Sequence, residues 1–483
     1  MLITDTILRG QWFDGSWRDA TSTTPVLSPA TGESLGTAAS MSRDEVLEAA
    51  TAASAAQREW AAKKPTERAA VLRRAGHLFE EHAEEIQSWL VREAGSIPPK
   101  AGLETHIAAE ECYEASALPT LPLGEVLSTD QAHWSQSRRR PVGVVSVIAP
   151  FNFPLILSIR AVAPALALGN AVLLKPDART AVSGGAVLAR IFEEAGLPAG
   201  LLQLLPGARE TGEAVVEAPQ VRVVAFTGST AAGRAVGEVC AKLIKRAHLE
   251  LGGNNAMIVL PGADLDKAAS AAAFGSFMHQ GQICMTTGRH VVHRDIHDEY
   301  VDRLAEKAKH LPVGDPATEQ VALGPIIDEN QLKRIDSIVQ DTLLAGGTLA
   351  AGGSYEGQFY KPTVLTDLQP DSPAWSQEIF GPVAPVMAFD TIDEAVDLVN
   401  SSEYGLSVGI LGEVGEAMEI ADRIEAGKVH INEQTVSDEA TAPFGGFKDS
   451  GNGSRVGGHA ANLDAFTETQ WVTVRPEIAG YPF

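Results

Sequence analysis

The stretch GQICMTTG, residues 281–288, places a cysteine beside a glycine-containing turn in a chain whose only cysteines are Cys112, Cys240 and Cys284. A cysteine thiolate is a strong nucleophile and attacks carbonyl carbon atoms. Buried cysteines are also ordinary packing residues, because a free thiol behaves as a small hydrophobic group. Cys284 is therefore a candidate nucleophile only if the chain also supplies a base, an oxyanion donor and a second reactant.

Four further stretches contain residues that suit those tasks. Glu250 lies within the apolar run of HLELGG, where burial would raise its pKa towards that of a general base. Asn152 in APFNFP could donate to an oxyanion, and Lys175 in LLKP ends a predicted strand, where a ribose or phosphate would be bound. Residues Gly228–Gly233 follow a strand and open a helix, as phosphate-binding turns do. Each also has a structural alternative: a paired carboxylate, a turn asparagine, a solvated lysine or an ordinary strand-to-helix turn.

EIFGPV adds a carboxylate and a ring, Glu378 and Phe380, although a core strand with one edge glutamate has the same pattern. The chain contains, in this order, SPATGE, APFNFP, LLKP, FTGS, LELGG, GQIC, EIFGPV and PFGGFKDSG. This series resembles the NAD(P)-dependent aldehyde dehydrogenase superfamily over nearly the whole length. The resemblance implies that Cys284 is the nucleophile and that Asn152 holds the oxyanion. It also implies that Glu250 activates the water that hydrolyses a cysteine thioester.

The resemblance further implies NAD or NADP as cofactor and no metal. The implied cofactor-binding residues are Lys175, Asp177, Thr227, Gly228, Ser229, Gly233, Leu251, Glu378 and Phe380. NFPLILSIRAVAPALALGN, KPDARTAVSGG and HQGQICMTTGRH look most like bacterial benzaldehyde and vanillin dehydrogenases, which implies an aromatic aldehyde substrate. The residues expected to form an apolar, ring-compatible pocket are Phe153, Leu157, Arg160, Met278, Ile283, Met285 and Phe444.

The chain departs from the family pattern at several positions. Ala178, followed by Arg179, replaces a glutamate that binds the ribose in many NAD-specific relatives, so we expect both NAD and NADP to be used. Asn254 and Ala161 replace lysines that are common in relatives, and GNGSRVGG replaces a segment that often carries glutamates. A proton relay through those side chains must take a different route here.

Other functions stay open on the sequence alone. Arg160 could anchor the carboxylate of an aliphatic semialdehyde. A coenzyme A-acylating enzyme is disfavoured because Glu250 suits water as the deacylating nucleophile. A thiol esterase without redox chemistry and a non-catalytic structural relative are the remaining alternatives, since fold does not fix function.

The secondary-structure pattern indicates how these residues are positioned. QWFDGSW and SPATGE read as hairpin strands, and Ser42 with Glu45 forms a capping box for a helix that runs to about Ala62. Pro65 suits the first turn of a second long helix that ends near Gly95. From Val142 onward, short β-branched runs alternate with helical stretches, which predicts parallel sheets of the α/β class.

We therefore expect an aldehyde dehydrogenase-like α/β fold with two doubly wound parallel-sheet domains and a small β element. Residues 1–120 and 141–250 are assigned to the NAD(P)-binding domain, and residues 251–455 to the catalytic domain. Residues 121–140 and 456–483 are predicted to form bridging strands that pair between subunits of a homodimer or homotetramer.

Composition and charge limit the partners. The 483 residues carry a net charge of -24, which repels nucleic acid and anionic lipid, so neither is expected as a partner. Three widely spaced cysteines suggest a reducing compartment, and no signal peptide or long apolar stretch is found, so a cytoplasmic location is expected.

Overall fold

The computed structural model describes residues 1–483. The strands of residues 1–141 are β1 (Gln11–Phe13), β2 (Trp17–Asp19), β3 (Thr23–Leu27), β4 (Ser34–Ala39), β5 (Gly124–Val126) and β6 (Trp134–Pro141). Those of residues 144–250 are β7 (Val144–Ile148), β8 (Ala171–Lys175), β9 (Leu202–Leu204), β10 (Val221–Thr227) and β11 (Arg246–Glu250). The remaining strands are β12 (Asn255–Val259), β13 (Thr287–His293), β14 (Thr348–Ala351), β15 (Tyr355–Glu356), β16 (Phe359–Tyr360), β17 (Thr363–Thr366), β18 (Val383–Phe389), β19 (Tyr404–Gly405), β20 (Ser407–Leu411), β21 (Lys428–Ile431), β22 (Phe447–Lys448) and β23 (Thr467–Val474).

Fifteen α-helices connect and cover these strands. They are α1 (Arg43–Ala62), α2 (Pro65–Glu81), α3 (Ala83–Ala94), α4 (Pro98–Ala117), α5 (Pro154–Ala167), α6 (Val187–Glu194), α7 (Arg209–Glu217), α8 (Thr230–Lys242), α9 (Leu265–Phe277), α10 (Arg294–His310), α11 (Glu329–Leu344), α12 (Pro373–Ser376), α13 (Ile392–Asn400), α14 (Val414–Ala421) and α15 (His459–Phe466). None of them is long and apolar enough to cross a membrane.

Two helix predictions can be compared directly with these bounds. The capping box of α1 is confirmed: Ser42 Oγ accepts from the Glu45 N–H, and the Glu45 carboxylate accepts from the Ser42 N–H. The single helix expected from Pro65 to about Gly95 is instead two helices, because the chain breaks at His82 between α2 and α3. Gly95 ends α3 in the left-handed conformation (φ 66°), which glycine adopts without steric cost.

The first seven-stranded sheet has the order β11-β10-β7-β8-β9-β1-β2, in which β7 to β11 are parallel. The chain winds outward from β7 through β8 to β9, then returns to place β10 on the other side of β7. The crevice beyond the carboxyl ends of β7 and β10 is therefore a topological switch point, where α/β sheets bind ligands.

The second seven-stranded sheet has the order β14-β17-β18-β13-β12-β20-β21, parallel except for the edge strand β14. A separate hydrophobic core lies on each face of this sheet. Two mainly parallel sheets covered by helices confirm the α/β class and the doubly wound arrangement. The chain crosses from the first sheet to the second through residues 251–254, and the exact domain boundaries stay a prediction.

The strands predicted to pair between subunits pair with each other inside one chain. β6 lies between β23 and β5 in an antiparallel three-stranded sheet, with Trp471 opposite Ser137. Within one chain β6 is paired on both sides, whereas the outer edges of β5 and β23 are unpaired, so pairing between subunits stays a prediction. Exposed rings of Trp134 and Trp471 still lie on this sheet.

Candidate active site

A cleft of about 350 Å³ lies between the two sheets. The first sheet contributes the residues that follow the carboxyl ends of its strands, as at Lys175 and Thr227. The second sheet contributes residues that precede the amino ends of its strands, such as Cys284 before β13 and Glu378 before β18. Loops from opposite strand ends thus meet across one crevice.

Most residues predicted to bind the cofactor line this cleft. They are Lys175, Asp177, Thr227, Gly228, Ser229, Leu251, Glu378 and Phe380. Gly233 does not line the cleft but lies beneath it: a Cβ on Gly233 would come within 2.2 Å of Leu251 Cδ2. Gly233 therefore lets α8 pack closely against Leu251, which supports the cleft wall.

The amino end of α8 faces the cleft through Gly228 and Ser229. Ser229 is the N-cap residue, and its hydroxyl accepts from the Ala232 N–H. The Gly228 N–H donates to the Glu250 carbonyl oxygen over 3.0 Å, which fixes the turn between β10 and α8. A helix of this length presents unpaired N–H groups and a partial positive charge at its amino end, which suits a phosphate.

Asp177 and Arg179 form a closed ion pair at the opposite wall. The Asp177 carboxylate accepts from the Arg179 N–H and Nε at 2.9 Å each, and from Nη2 at 2.8 Å. Nη1 lies 2.5 Å from the Asp328 carboxylate. Although burial disfavours ionisation, these bonds and the charge of Arg179 lower the pKa of Asp177. The guanidinium is thus already shared between two carboxylates.

Cys284 is half-buried in the cleft wall, after a sharp turn in which His279 and Gln280 adopt positive φ angles of 49° and 56°. Its carbonyl oxygen accepts from Asn255 Nδ2 over 2.8 Å. A Cβ on Gly253 would approach that same oxygen to 2.4 Å, so the glycine permits the close contact. Burial, together with the charge of Glu378, raises the pKa of the Cys284 thiol to about 12.

Glu378 closes the cleft beside Cys284. Its Oε1 accepts from the Gly253 N–H over 2.8 Å, and a Cβ on Gly252 would reach within 2.4 Å of Oε2. Burial raises the pKa of Glu378 to about 7, while the Gly253 hydrogen bond and Arg334 oppose the shift. The loop is held from behind by Arg334, whose Nη2 donates to the Glu378 carbonyl oxygen over 2.8 Å.

Glu250 lies in a smaller adjoining cavity of about 20 Å³, which shares Leu157, Phe226 and Thr227 with the cleft. That volume holds about one water molecule. Its side chain is buried, and neither carboxylate oxygen has a hydrogen-bond partner. Burial raises the pKa of Glu250 well above its ordinary value, although the charges of Arg455 and Arg160 oppose the shift.

Asn152 lines the cleft on the loop between β7 and α5. Its Oδ1 has no hydrogen-bond partner, whereas its backbone carbonyl accepts from Lys100 Nζ over 2.8 Å. The three residues with predicted roles in catalysis therefore lie around two adjoining cavities, with Cys284 and Asn152 in the cleft and Glu250 beside it.

Three residues predicted for the substrate pocket, Leu157, Arg160 and Phe444, line the cavity of Glu250. Arg160 is not available as a free carboxylate anchor, because its Nε donates to Glu111 over 2.8 Å and its Nη2 lies 2.7 Å from Asp438. A buried arginine must be paired with acidic groups, and these two carboxylates serve that need.

Four other residues predicted for the pocket lie outside both cavities: Phe153, Met278, Ile283 and Met285. The Phe153 ring packs against Lys100 Nζ at 4.2 Å, and Ile283 and Met285 are buried in the large core of the first sheet. The sharp turn before Cys284 explains the difference, because it directs the flanking apolar side chains into the protein and leaves the thiol at the cleft.

Several polar residues near the site were not identified from the sequence. Lys428 pairs with Asp438 over 3.1 Å and lies 4.1 Å from the centre of the Phe444 ring, which also faces Arg160. Lys100 pairs with Glu104 beneath Asn152. The available signal was weak: in both KVHI and PPKAGLE a charge falls within a segment that otherwise reads as buried.

A family model described as "Aldehyde dehydrogenase family" matches residues 17–472 of the chain. A vanillin dehydrogenase of Amycolatopsis sp. is 61% identical over 476 residues, which cover 98% of each chain. A benzaldehyde dehydrogenase [NAD(+)] of Pseudomonas putida is 46% identical, again over 98% of each chain. The crystal structure of a salicylaldehyde dehydrogenase from Pseudomonas putida G7 complexed with salicylaldehyde has a TM-score of 0.94 at 35% identity, covering 98% of this chain and 99% of that one.

Proposed function

The chain belongs to the aldehyde dehydrogenase family, and from this we propose that it oxidises an aromatic aldehyde to the carboxylic acid, with NAD or NADP as cofactor. The observation that carries the proposal is the thiol of Cys284 in the wall of a cleft whose other residues suit a dinucleotide. The relatives named for vanillin and benzaldehyde, with identities of 61% and 46% over 98% of this chain, support the aromatic substrate.

The cleft fits a dinucleotide in its chemistry. Gly252 leaves open the space that a Cβ would fill against Glu378, and the amino end of α8 offers N–H groups to a pyrophosphate. Lys175 would bind the adenosine ribose, and Glu378 the nicotinamide ribose. When bound, NAD or NADP supplies the nicotinamide ring that takes the hydrogen from the aldehyde carbon together with its electron pair.

Cys284 forms the first covalent bond. Because burial raises its pKa to about 12, the thiol is protonated at neutral pH, and its proton passes to water in the cleft as the sulfur attacks. Sulfur then bonds to the aldehyde carbon, and the carbonyl electrons move to oxygen. The Asn152 amide and the Cys284 backbone N–H stabilise this oxyanion in the resulting thiohemiacetal. When the oxyanion re-forms the carbonyl, the hydrogen on that carbon would leave with its electron pair to the bound cofactor, and Cys284 would then carry a thioester.

Glu250 serves the second half of the reaction, the hydrolysis of the thioester. Its raised pKa makes it a better proton acceptor than an exposed glutamate, and the adjoining cavity has room for one water. Glu250 takes a proton from this water, and the oxygen adds to the acyl carbon. The carbon–sulfur bond breaks and the sulfur leaves with the bonding electrons; it takes up the remaining proton of the water oxygen to re-form the Cys284 thiol. The acid leaves as its carboxylate, and Glu250 passes its proton to solvent.

Leu157, which lines both the cleft and the Glu250 cavity, gives the aldehyde an apolar surface in the cleft. The two acidic partners of Arg160 disfavour the alternative that this arginine anchors the carboxylate of a semialdehyde. A substrate carboxylate beside Arg160 would lie close to the carboxylates of Glu111 and Asp438, and these like charges would repel it.

We also propose a homo-oligomer and a cytoplasmic location. The sheet of β5, β6 and β23 exposes Val126, Trp134 and Trp471, an apolar surface that a second copy of the chain would cover. All three cysteines are free thiols, which suits a reducing compartment.

Replacing the nucleophile tests the proposal. We expect Cys284→Ala to lose aldehyde-dependent NADH formation by at least about 10⁴-fold with benzaldehyde or vanillin, while NAD still binds. Cys240→Ala is the matched control, since that cysteine is buried away from the cleft and its loss should leave the rate unchanged. An active Cys284→Ala variant would refute the mechanism. If Cys240→Ala lost activity as well, the loss in Cys284→Ala would no longer identify Cys284 as the nucleophile.

A further inference from the structure

Lys100 and Glu104 form an ion pair that is completely buried in α4. Their side chains have no exposure to solvent, and Lys100 Nζ lies 2.5 Å from Glu104 Oε2. Burying two charges costs several kcal/mol for each ion unless further hydrogen bonds compensate for the lost water. The further hydrogen bonds of this pair all go to one stretch of chain, Asn152 and the first turn of α5 that follows it.

The pair holds the chain at Asn152 and directly after it. Lys100 Nζ donates to the Asn152 carbonyl oxygen over 2.8 Å. Glu104 Oε1 accepts from the Leu155 N–H over 2.8 Å, at the amino end of α5, where a carboxylate is favoured by the helix dipole. The ammonium group also lies 4.2 Å from the centre of the Phe153 ring.

Nothing else in the structure fixes the Asn152 side-chain oxygen. Oδ1 has no hydrogen-bond partner, so the direction of the amide depends on the backbone from which it projects. An oxyanion donor must lie within a few tenths of an ångström of its working position, because the interaction weakens steeply with misplacement. Lys100 and Glu104 line neither cavity, so any effect they have on chemistry passes through this loop.

We propose that Lys100 and Glu104 are positioning residues that aim the Asn152 amide at the oxyanion. The pair anchors the Asn152 carbonyl and, three residues later, the first turn of α5, and these backbone anchors set the direction of the Asn152 side chain, whose oxygen has no hydrogen bond of its own. The inference depends on the proposed function, because it requires that Asn152 stabilise an oxyanion.

A double-mutant cycle tests the proposal. Lys100→Met alone leaves the Glu104 charge buried and unpaired, so the double replacement Lys100→Met with Glu104→Gln is made as well; the glutamine oxygen can still accept from the Leu155 N–H. Each change is made in the wild-type chain and in Asn152→Ala. The rate of NADH formation in a single turnover with benzaldehyde is measured, together with NAD binding and thermal unfolding.

We expect Asn152→Ala to slow the single turnover by about 10²–10³-fold. The double replacement should slow it by about 10-fold in the wild-type chain but less than about 2-fold in Asn152→Ala, because coupled residues are not additive. NAD binding should not change. Equal losses in both backgrounds, or no loss in the wild-type chain, would overturn the positioning role. A normal rate in Asn152→Ala would instead overturn the oxyanion role itself.

Glu93→Gln provides the matched control. Glu93 is equally buried, and it accepts from two backbone N–H groups, those of Val182 and Ser183, but not from the Asn152 loop. We expect its replacement to lower thermal stability and to leave the single-turnover rate within about 2-fold of wild type. A 10-fold loss in Glu93→Gln would show that any buried capping carboxylate has this effect, and the proposal would fail.

Discussion

Two buried carboxylates lie on either side of the proposed reaction centre, in opposite states of hydrogen bonding. Below Asn152, Glu104 accepts from Lys100 and from the amino end of α5. Beside Cys284, Glu250 has no partner for either oxygen. Both side chains are excluded from solvent, so burial alone does not distinguish them.

The difference shows what each region is built to do. A buried polar group without a partner costs free energy, and folded proteins keep such groups where chemistry requires them. The backbone at Asn152 and at the start of α5 is held by hydrogen bonds to the Lys100–Glu104 pair, which fixes its geometry. The Glu250 cavity keeps its acceptor oxygens free, and they are available to a water molecule.

Replacing Glu250 by Gln tests the side of this contrast that concerns catalysis. We expect a steady-state rate that is lower by about 10²–10³-fold, because the amide cannot take a proton from water. The first turnover should still release NADH in a burst, provided that deacylation is the step affected. Stopped-flow absorbance with benzaldehyde measures both phases, and a steady-state rate close to wild type would remove Glu250 from the base role.

The pH dependence of the steady-state rate would sharpen the contrast between Glu250 and Glu104. The raised pKa of Glu250 means that this carboxyl holds its proton at pH values where an exposed glutamate has lost it. The rate should therefore rise about 10-fold per pH unit until the pH passes that raised pKa. An inflection at the ordinary value of 4.5 would contradict the effect of burial. Glu250→Gln should lack this inflection.

Thermal stability should respond in opposite directions at the two sites. Glu104→Gln leaves the buried Lys100 without its counter-ion, a loss of about 3–5 kcal/mol that lowers Tm by on the order of 5 °C. The folded-state pKa of Glu250 is raised, so its contribution to stability falls as the pH rises from the ordinary value to the folded one. Glu250→Gln should thus raise Tm by about 1–2 °C at pH 8. Calorimetry that finds the same sign for both would contradict the contrast.

The smallest effect is expected at Asp177, a carboxylate fully engaged by Arg179. Asp177→Asn removes a negative charge near the proposed ribose site and frees the arginine, so kcat/KM with NADP should rise about 5-fold relative to NAD. Asp328→Asn is the control, because it frees the same guanidinium but keeps the Asp177 charge. A larger gain in Asp328→Asn would show that the freed arginine, rather than the lost carboxylate, sets the preference.

The sequence predicted the parts of the site that are local. Lys175 at a strand end, the turn at Gly228 before a helix and Glu250 in an apolar run all follow from periodicity and turn chemistry. The structure brings Lys175 and Gly228 to the cleft and Glu250 to the adjoining cavity. The α/β class and the capping box of α1 follow in the same way.

Contacts distant in sequence could not be predicted in this way. Lys100 reaches Asn152 across 52 positions, and the pairing of Arg160 with Glu111 and Asp438 depends on how three segments pack. Spacing does not reveal the turn with two left-handed residues, His279 and Gln280, after which Ile283 and Met285 are buried in the core. Hydrophobicity alone does not distinguish a pocket wall from a core.

The opposed strand ends of the two sheets have a mechanical consequence. Asn152 follows a strand of the first sheet and Cys284 precedes a strand of the second, so the two groups proposed to hold one oxygen are carried by different sheets. A relative shift of the sheets by one ångström would separate them while leaving every helix intact. The rate of turnover therefore depends on the relative position of the two sheets. At low denaturant concentration, enzyme activity should be lost before the helical circular dichroism signal declines.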